Sequence, residues 1–377
     1  MILFLKKIRN FLKSYSVGNY LNIFKSKNLK KYWQLSNKKN HNDLMIKSMN
    51  IFLSSPDYAR TSKNHKYWLI KNLKNIENSN EKPDTELFQF DNPQFHSDFS
   101  DATISELTND NNETNEPFTD LFKIQPNIKI SKSFKMNFLN FLIYNKIKKS
   151  ENFKNISYLK DVSFIGKDNI YNIQNKIKIT QEKLKSLIEY ETISKLINKN
   201  NSETKIVEIG SGNGRICDTV LSINPLVSKY VLADIPPALT LAYDRLKKSF
   251  PEKKIFYGID IKENEIEKLN QIFNDNEIIL ILPYLLNFLK QKFDLLLAID
   301  CLHEMNKETI KQYMDYANNN AKKIYFKVHQ HAHVPFSLNI MNVYKNEDYY
   351  INPRWKEILK KKSLFPSDDV ECAYEIP

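Results

Sequence analysis

The chain has 377 residues, 41% of them hydrophobic and 27% charged, with a mean hydropathy of -0.52, an ordinary soluble composition with enough apolar material to bury a full sheet. Its net charge of +12 is divided by position: residues 1–80 carry 16 Lys/Arg against 3 Asp/Glu, and residues 81–120 carry 11 acidic side chains against Lys82 alone. Three widely spaced cysteines, Cys217, Cys301 and Cys372, without a CxxC pair, argue against a disulfide framework or zinc knuckle and point to a reducing, cytoplasmic compartment.

The opening MILFLKKIRNFLK has no apolar stretch beyond five residues, so neither a transmembrane helix nor a usual signal peptide is expected there. Ile2, Leu5, Ile8 and Leu12 fall at helical spacing among Lys6, Lys7, Arg9 and Lys13. That pattern suits a peripheral contact of residues 1–13 with an anionic membrane surface or, the preferred reading, a helix packed on its own domain. Residues 1–78 read as a basic helical region in which Trp33, Tyr58, Tyr67 and Trp68 interleave with lysines. Such a region can hold nucleic acid through phosphate contacts and stacking, but no nucleic-acid motif accompanies it, and a helical cap is expected instead.

Residues 79–122, rich in Asn, Asp, Glu, Ser, Thr and Pro, read as an acidic, loop-rich connector, with Phe88, Phe90, Phe95 and Phe99 available to dock on a partner surface. Residues 123–200 read as a helical lead-in. Phe134, Phe138 and Leu142 mark a helix over about 130–148, and Thr180 stands as the N-cap of another over 181–198.

From 204 onward short apolar runs alternate with amphipathic helices. The runs are Lys205–Ile209, Tyr230–Ala233, Ile255–Tyr257, Glu277–Leu282, Phe293–Ile299 and Lys323–Val328; the helices fall at about 214–223, 237–249, 262–273 and 307–320. Continuous apolar strands alternating with helices signal a parallel sheet covered on both faces. Right-handed crossovers make residues 201–377 an α/β, doubly wound, Rossmann-like domain.

The chain has six glycines, and three of them, Gly210, Gly212 and Gly214, fall within five residues between the first run and the first helix. Glycines there permit positive φ and close approach of a ligand, and the helix N-terminus behind them offers unpaired N–H groups to an anion. These facts alone allow a nucleotide, a dinucleotide or S-adenosylmethionine. A dinucleotide fingerprint would need glycine where Arg215 stands, and no Gly-Lys-Ser/Thr closes the loop as a P-loop would require. At the end of the second run, Asp234 stands where a carboxylate faces a ribose and can accept from both hydroxyls; a cap on the following helix is the alternative.

Val207-Glu208-Ile209-Gly210-Ser211-Gly212-Asn213-Gly214 resembles the first motif of the class I S-adenosylmethionine-dependent methyltransferases. The resemblance implies that Glu208 lies near the amino-acid portion of S-adenosyl-L-methionine and the glycines on its sulfonium side. Ser211, Asp234 and Ile235 belong to the same cofactor-binding set. Asp260, or the run Glu277–Leu282, is the candidate at the adenine. A narrower resemblance, to a sugar O-methyltransferase family, covers roughly residues 155–377. It rests on Asp234-Ile235-Pro236-Pro237-Ala238-Leu239, on Ile299-Asp300-Cys301-Leu302-His303-Glu304-Met305 and on Pro353-Arg354-Trp355, with Tyr58, Arg60, Ser62 and Trp68 matching loosely.

Methyl transfer to an alcohol needs the acceptor positioned and its proton taken. The run 293–299 carries Asp300, His303 and Glu304 to the strand ends, where His303 is expected as general base and Glu304 as its orienting group or a contact to sugar hydroxyls. His329, His331 and His333 alternate in an extended segment and point to one side; polar contacts at the acceptor mouth are preferred there over a metal site. The expected acceptor is a small molecule or glycan; the alternatives are a methyltransferase of the same class with a lipid, polyketide or RNA acceptor, and a non-catalytic scaffold.

Overall fold

The computed structural model describes residues 43–54, 170–173, 177–197, 203–258, 261, 263–333, 340–365 and 369–377, together with Trp33, Gln34, Ile143, Tyr144, Ile147 and Lys149. Expectations for residues 1–13, for Tyr58, Tyr67 and Trp68, for the connector 79–122, for most of the helix over 130–148 and for Asp260 lie outside these residues. No helix among the described residues is long and apolar enough to cross a membrane.

Helix α1 (Asp43–Ser54) is followed by an antiparallel hairpin, β1 (Ile170–Ile173) and β2 (Ile177–Thr180), and by α2 (Gln181–Leu196). The alternating part then runs β3 (Thr204–Ile209), α3 (Arg215–Ile223), β4 (Val227–Ala233), α4 (Pro236–Ser249), β5 (Ile255–Tyr257), α5 (Leu269–Asp275), β6 (Ile278–Ile281), β7 (Leu295–Ile299), α6 (Lys307–Asn320) and β8 (Lys323–His329). A short hairpin, β9 (His331–His333) with β10 (Ile340–Asn342), precedes the closing strands β11 (Lys356–Lys362) and β12 (Asp369–Glu375).

The main sheet has eight strands in the order β11-β12-β8-β7-β3-β4-β6-β5. The six from β5 to β8 are parallel; β12 pairs antiparallel with β8, and β11 antiparallel with β12. This is the expected doubly wound, Rossmann-like architecture with an antiparallel extension at one edge. From β3 the chain winds outward through β4, then returns to the other side of β3 at β7. The order therefore reverses between β3 and β7, and the crevice of such a sheet opens beyond those strand ends.

Burial explains the strand positions. Ile278, Ile279, Leu280 and Ile281 of β6 are wholly buried, whereas Ile255, Phe256 and Tyr257 of β5 are half-buried. The more apolar run takes the interior place beside β4, and β5 lies outside it at the edge. Helix α4 starts with Pro236 and Pro237 in its first turn, where a missing N–H costs nothing. Helix α6 is capped by Asn306, whose side-chain oxygen accepts from the Thr309 N–H at 2.7 Å, an arrangement worth about 1 kcal/mol.

Three strand pairs were not expected: the β1–β2 hairpin within the lead-in, the β9–β10 hairpin, and the pair β11–β12. The lead-in's second helix does begin at Gln181, directly after Thr180. Helix α1, from the basic head, packs against α4, and Met49 and Phe52 are fully buried. Ser48 and Thr240 each place a hydroxyl near the Tyr257 hydroxyl, at 3.0 and 3.1 Å, so α1, α4 and β5 share one polar joint. Removing the buried ring with Phe52→Ala is expected to cost about 3–5 kcal/mol, read as a lowered urea midpoint. A midpoint equal to that of the wild type would mean that α1 does not pack this way in solution.

Candidate functional site

The glycine loop sits at the C-terminal end of β3, beside the point where strand order reverses. Gly210, Gly212 and Gly214 all adopt positive φ, at 65°, 56° and 75°. A Cβ on Gly210 would lie 2.4 Å from the Cys301 Cβ, because Cys301, just beyond β7, closes onto the loop and donates its thiol to the Ile209 carbonyl at 3.2 Å. The ends of β3 and β7 thus meet with room for no side chain at Gly210.

Gly214 is the N-cap of α3, and no side chain caps that helix. Its first N–H groups and the buried, unpartnered hydroxyl of Ser211 offer donors to an anionic group. Asp234, at the end of β4, accepts from the Gly212 N–H at 2.7 Å and from the Ile235 N–H at 2.6 Å. It does not cap α4, whose Pro236 and Pro237 have no N–H to give. Burial pushes its carboxyl up to about 6. Each oxygen keeps a lone pair, and the half-buried Asp234 and Ile235 stand at the edge of the crevice. A ligand with an anionic group at α3 and paired hydroxyls at Asp234 fits this donor and acceptor set.

Glu208 lies in β3, two residues before Gly210. It is only 2% exposed and accepts from the Tyr230 hydroxyl at 2.7 Å. Burial pushes its carboxyl up to about 8, so at neutral pH it is mostly the neutral acid.

Asp300 lies at the reversal point with φ 58°, a left-handed conformation uncommon outside glycine. Its carboxylate is held among cations: Lys185 donates at 2.6 Å and Arg215 at 3.3 Å, and Lys327 stands 3.7 Å away. Against the burial that would raise it, these three hold Asp300 well below the usual carboxylate range. The cluster continues through Glu189 of α2, which is wholly buried and accepts from both Arg215 and Lys327, the latter at 2.9 Å. Lys327 also donates to the Phe365 carbonyl at 2.8 Å and approaches Asp369 at 3.6 Å. Nearer the start of α2, Glu182 accepts two bonds from Arg245 at 3.0 Å and one from Asn213 of the loop at 2.8 Å. None of these α2 partners is identifiable from a sequence motif; the only sign is a helix carrying charges on every face.

His303 is buried, its ring against that of His329 with centroids 3.9 Å apart and planes tilted by 33°. Its Nδ1 is buried without a partner, and burial together with His329 pulls it down to about 3. Glu304 beside it is half-buried. His329 ends β8 opposite Asp369, the first residue of β12, with Nδ1 and Oδ1 2.5 Å apart. Of the alternating histidines, His329 at the end of β8 and His331 on β9 are separated by a bend at Gln330. His331 is exposed on β9, and the side chain of His333 lies outside the described residues. Among the described residues no group of three or more His, Cys, Asp or Glu is placed to hold a metal ion. Trp355 is buried and donates to Asn318 of α6 at 3.0 Å, so its part of the Pro353-Arg354-Trp355 segment is packing.

No protein-family model matches the chain, and no curated protein matches it. Among solved structures it is similar to magnesium protoporphyrin IX methyltransferase from Synechocystis PCC 6803 with bound SAH, at 10% identity and TM-score 0.37, over 62% of this chain and 98% of that one. It is also similar to the methyltransferase domain of bacterial CtHen1, at 12% identity and TM-score 0.33 over 50% and 98% of the two chains. A third, fibrillarin in its complex with Nop5p, has 12% identity and TM-score 0.32 over 55% and 98%. At such scores the likenesses are slight, and the chemistry of the site rests on its own residues.

Two measurements check this geometry. Gly210→Ala combines a left-handed backbone with a clash, and about 2–5 kcal/mol of stability is expected to go, by denaturant unfolding. Glu189→Ala leaves Arg215 and Lys327 buried without their shared acid, and about 3–5 kcal/mol is expected to go at neutral pH. Against its burial, Arg215, Lys327 and Lys185 hold Glu189 below its ordinary value. Its contribution is therefore full above the unfolded glutamate pKa and lost as pH falls, so the deficit of the variant should shrink in acid. A deficit that grew in acid would contradict this pairing.

Proposed function

We propose that this chain is an S-adenosylmethionine-dependent O-methyltransferase acting on a hydroxyl of a small-molecule sugar or glycoconjugate in a reducing, cytoplasmic compartment. One observation carries the reading: the loop of three positive-φ glycines, its uncapped helix behind it and the Asp234 carboxylate bonded to its Gly212 N–H form one unit at the reversal point of the sheet. Gly210, Ser211, Gly212 and Gly214 would hold the amino-acid and sulfonium portion, and Asp234 with Ile235 the ribose. The unpartnered Ser211 hydroxyl and the uncapped first turn of α3 both suit a ligand laid against bare backbone. When bound, S-adenosylmethionine supplies an electrophilic methyl carbon whose bond to sulfur breaks with the electron pair remaining on sulfur.

The acceptor belongs beside the half-buried Asp300, Glu304 and His329, which stand at the ends of β7 and β8. Asp300, fixed as an anion by three cations, is suited to orienting a hydroxyl donor and unsuited to taking its proton. The sugar assignment is supported by the resemblance of residues 234–239 and 299–305 to the sugar O-methyltransferase family.

Calorimetry with S-adenosylhomocysteine tests the cofactor. Asp234→Asn should weaken binding about 10- to 100-fold, as expected for loss of charge-assisted hydrogen bonds. In the wild type, affinity should fall as pH drops through about 6, where Asp234 takes up a proton, and this dependence should vanish in the variant. No binding at any pH would sink the reading. Mass spectrometry after incubation with labelled S-adenosylmethionine and a panel of sugars, glycolipids and RNA tests the acceptor, with sugar or glycolipid products expected. Label confined to RNA would overturn the sugar assignment, and a chelator arm reports any need for a divalent ion.

A further inference from the structure

We infer that His329, oriented by Asp369, is the group that takes the proton of the acceptor hydroxyl, and that His303 serves only to pack against its ring. The inference rests on the methyltransferase reading and adds the identity of its base. A general base must be oriented, must hold a proton once it has one, and must be reachable from the crevice. His303 fails the last two: it is buried, and its Nδ1 is enclosed with no partner to fix a tautomer or stabilise an imidazolium.

His329 meets all three. Its side chain is 34% exposed, whereas that of Asp369 is 1% exposed, so the ring can be reached from outside while the carboxylate that holds it cannot. The 2.5 Å contact between Nδ1 and Asp369 Oδ1 keeps a proton on Nδ1 and makes Nε2 the basic nitrogen. The geometry comes from the sheet, since His329 and Asp369 are directly paired residues of adjacent antiparallel strands.

The charged groups around the ring are of both signs, and the carboxylates are the nearer. Asp369 of β12 bonds it across the strand pair, with Asp300 and Glu304 on the β7 side; Lys327 of β8 shares Asp369 at 3.6 Å, and the tilted His303 ring lies 3.9 Å away. Burial alone would lower His329, but the bond to Asp369 and the neighbouring carboxylates bring it above the ordinary histidine value. The proton leaves the acceptor hydroxyl for Nε2, is held as an imidazolium against Asp369, and returns to water after transfer. The histidine is restored each turnover, and the net release is a single proton per methyl group.

The test uses the full chain and imidazole-detected NMR between about pH 5 and 9, with and without S-adenosylhomocysteine, with resonances assigned through His329→Gln and His303→Gln. His329 should titrate above an ordinary histidine and His303 should stay neutral throughout; Asp369→Asn should bring the His329 titration down. The wild-type titration decides the order of the two histidines even if Asp369→Asn does not fold. A His303 that titrates in this range while His329 does not would overturn the assignment. With labelled S-adenosylmethionine and the acceptor panel, His329→Gln should lose 10²–10⁴ in turnover at unchanged S-adenosylhomocysteine affinity, and His303→Gln less than about tenfold. The reverse order of losses also overturns it. Failure of the wild type to bind S-adenosylhomocysteine is seen separately by calorimetry, and removes the methyltransferase reading and with it the base role.

Discussion

Glu189 is the constraint on which the site depends. A wholly buried carboxylate on α2 is shared by Arg215, the first residue of α3, and Lys327, near the end of β8. Through Arg215 it fixes the helix behind the glycine loop, and through Lys327 the strand that ends in His329. Both cations then reach Asp300, so three segments distant in sequence converge on the reversal point. A buried ionic cluster of this kind is weak evidence for stability, since desolvation offsets much of the attraction. What it does provide is position, because Arg215 and Lys327 are each tied to both Glu189 and Asp300.

Much of the fold was legible because its elements follow simple rules. The runs around Ile206, Val231, Ile279, Leu296 and Tyr325 are apolar on both faces, and only a covered parallel sheet accepts such strands. Strands β11 and β12 escaped notice for opposite reasons. β11 reads Lys-Glu-Ile-Leu-Lys-Lys-Lys and is largely exposed, an edge strand whose lysines discourage pairing with another chain. β12 buries Asp369 and Glu371, charges that a hydrophobic pattern search rejects. Their burial makes sense only with Lys327, His329 and Thr192 alongside.

The site divides the same way. The glycine loop and Asp234 are local in sequence and carry their geometry with them, so their positions could be read in advance. The surroundings of Asp300, His303 and His329 depend on α2 and β12, which join the crevice from about 115 residues before Asp300 and 40 residues after His329. Spacing within a segment cannot reveal such partners. Alternation along residues 329–333 suggested a shared face, and a bend at Gln330 gave the two described histidines separate environments.

The two helices flanking the crevice differ in a way that bears on the direction in which a ligand can lie. Helix α3 opens with bare N–H groups behind Gly214, whereas α4 opens with Pro236 and Pro237 and has two fewer to offer. Among the described residues the bare N–H groups therefore lie at α3 and not at α4, and the carboxylate of Asp234 stands next to them, bonded to the Gly212 N–H. A molecule with one anionic end and one hydroxyl-bearing end meets attraction in one orientation and repulsion in the other. Polarity of this kind sorts the two ends of a ligand before any close contact is made, and it comes from two prolines that never touch the ligand.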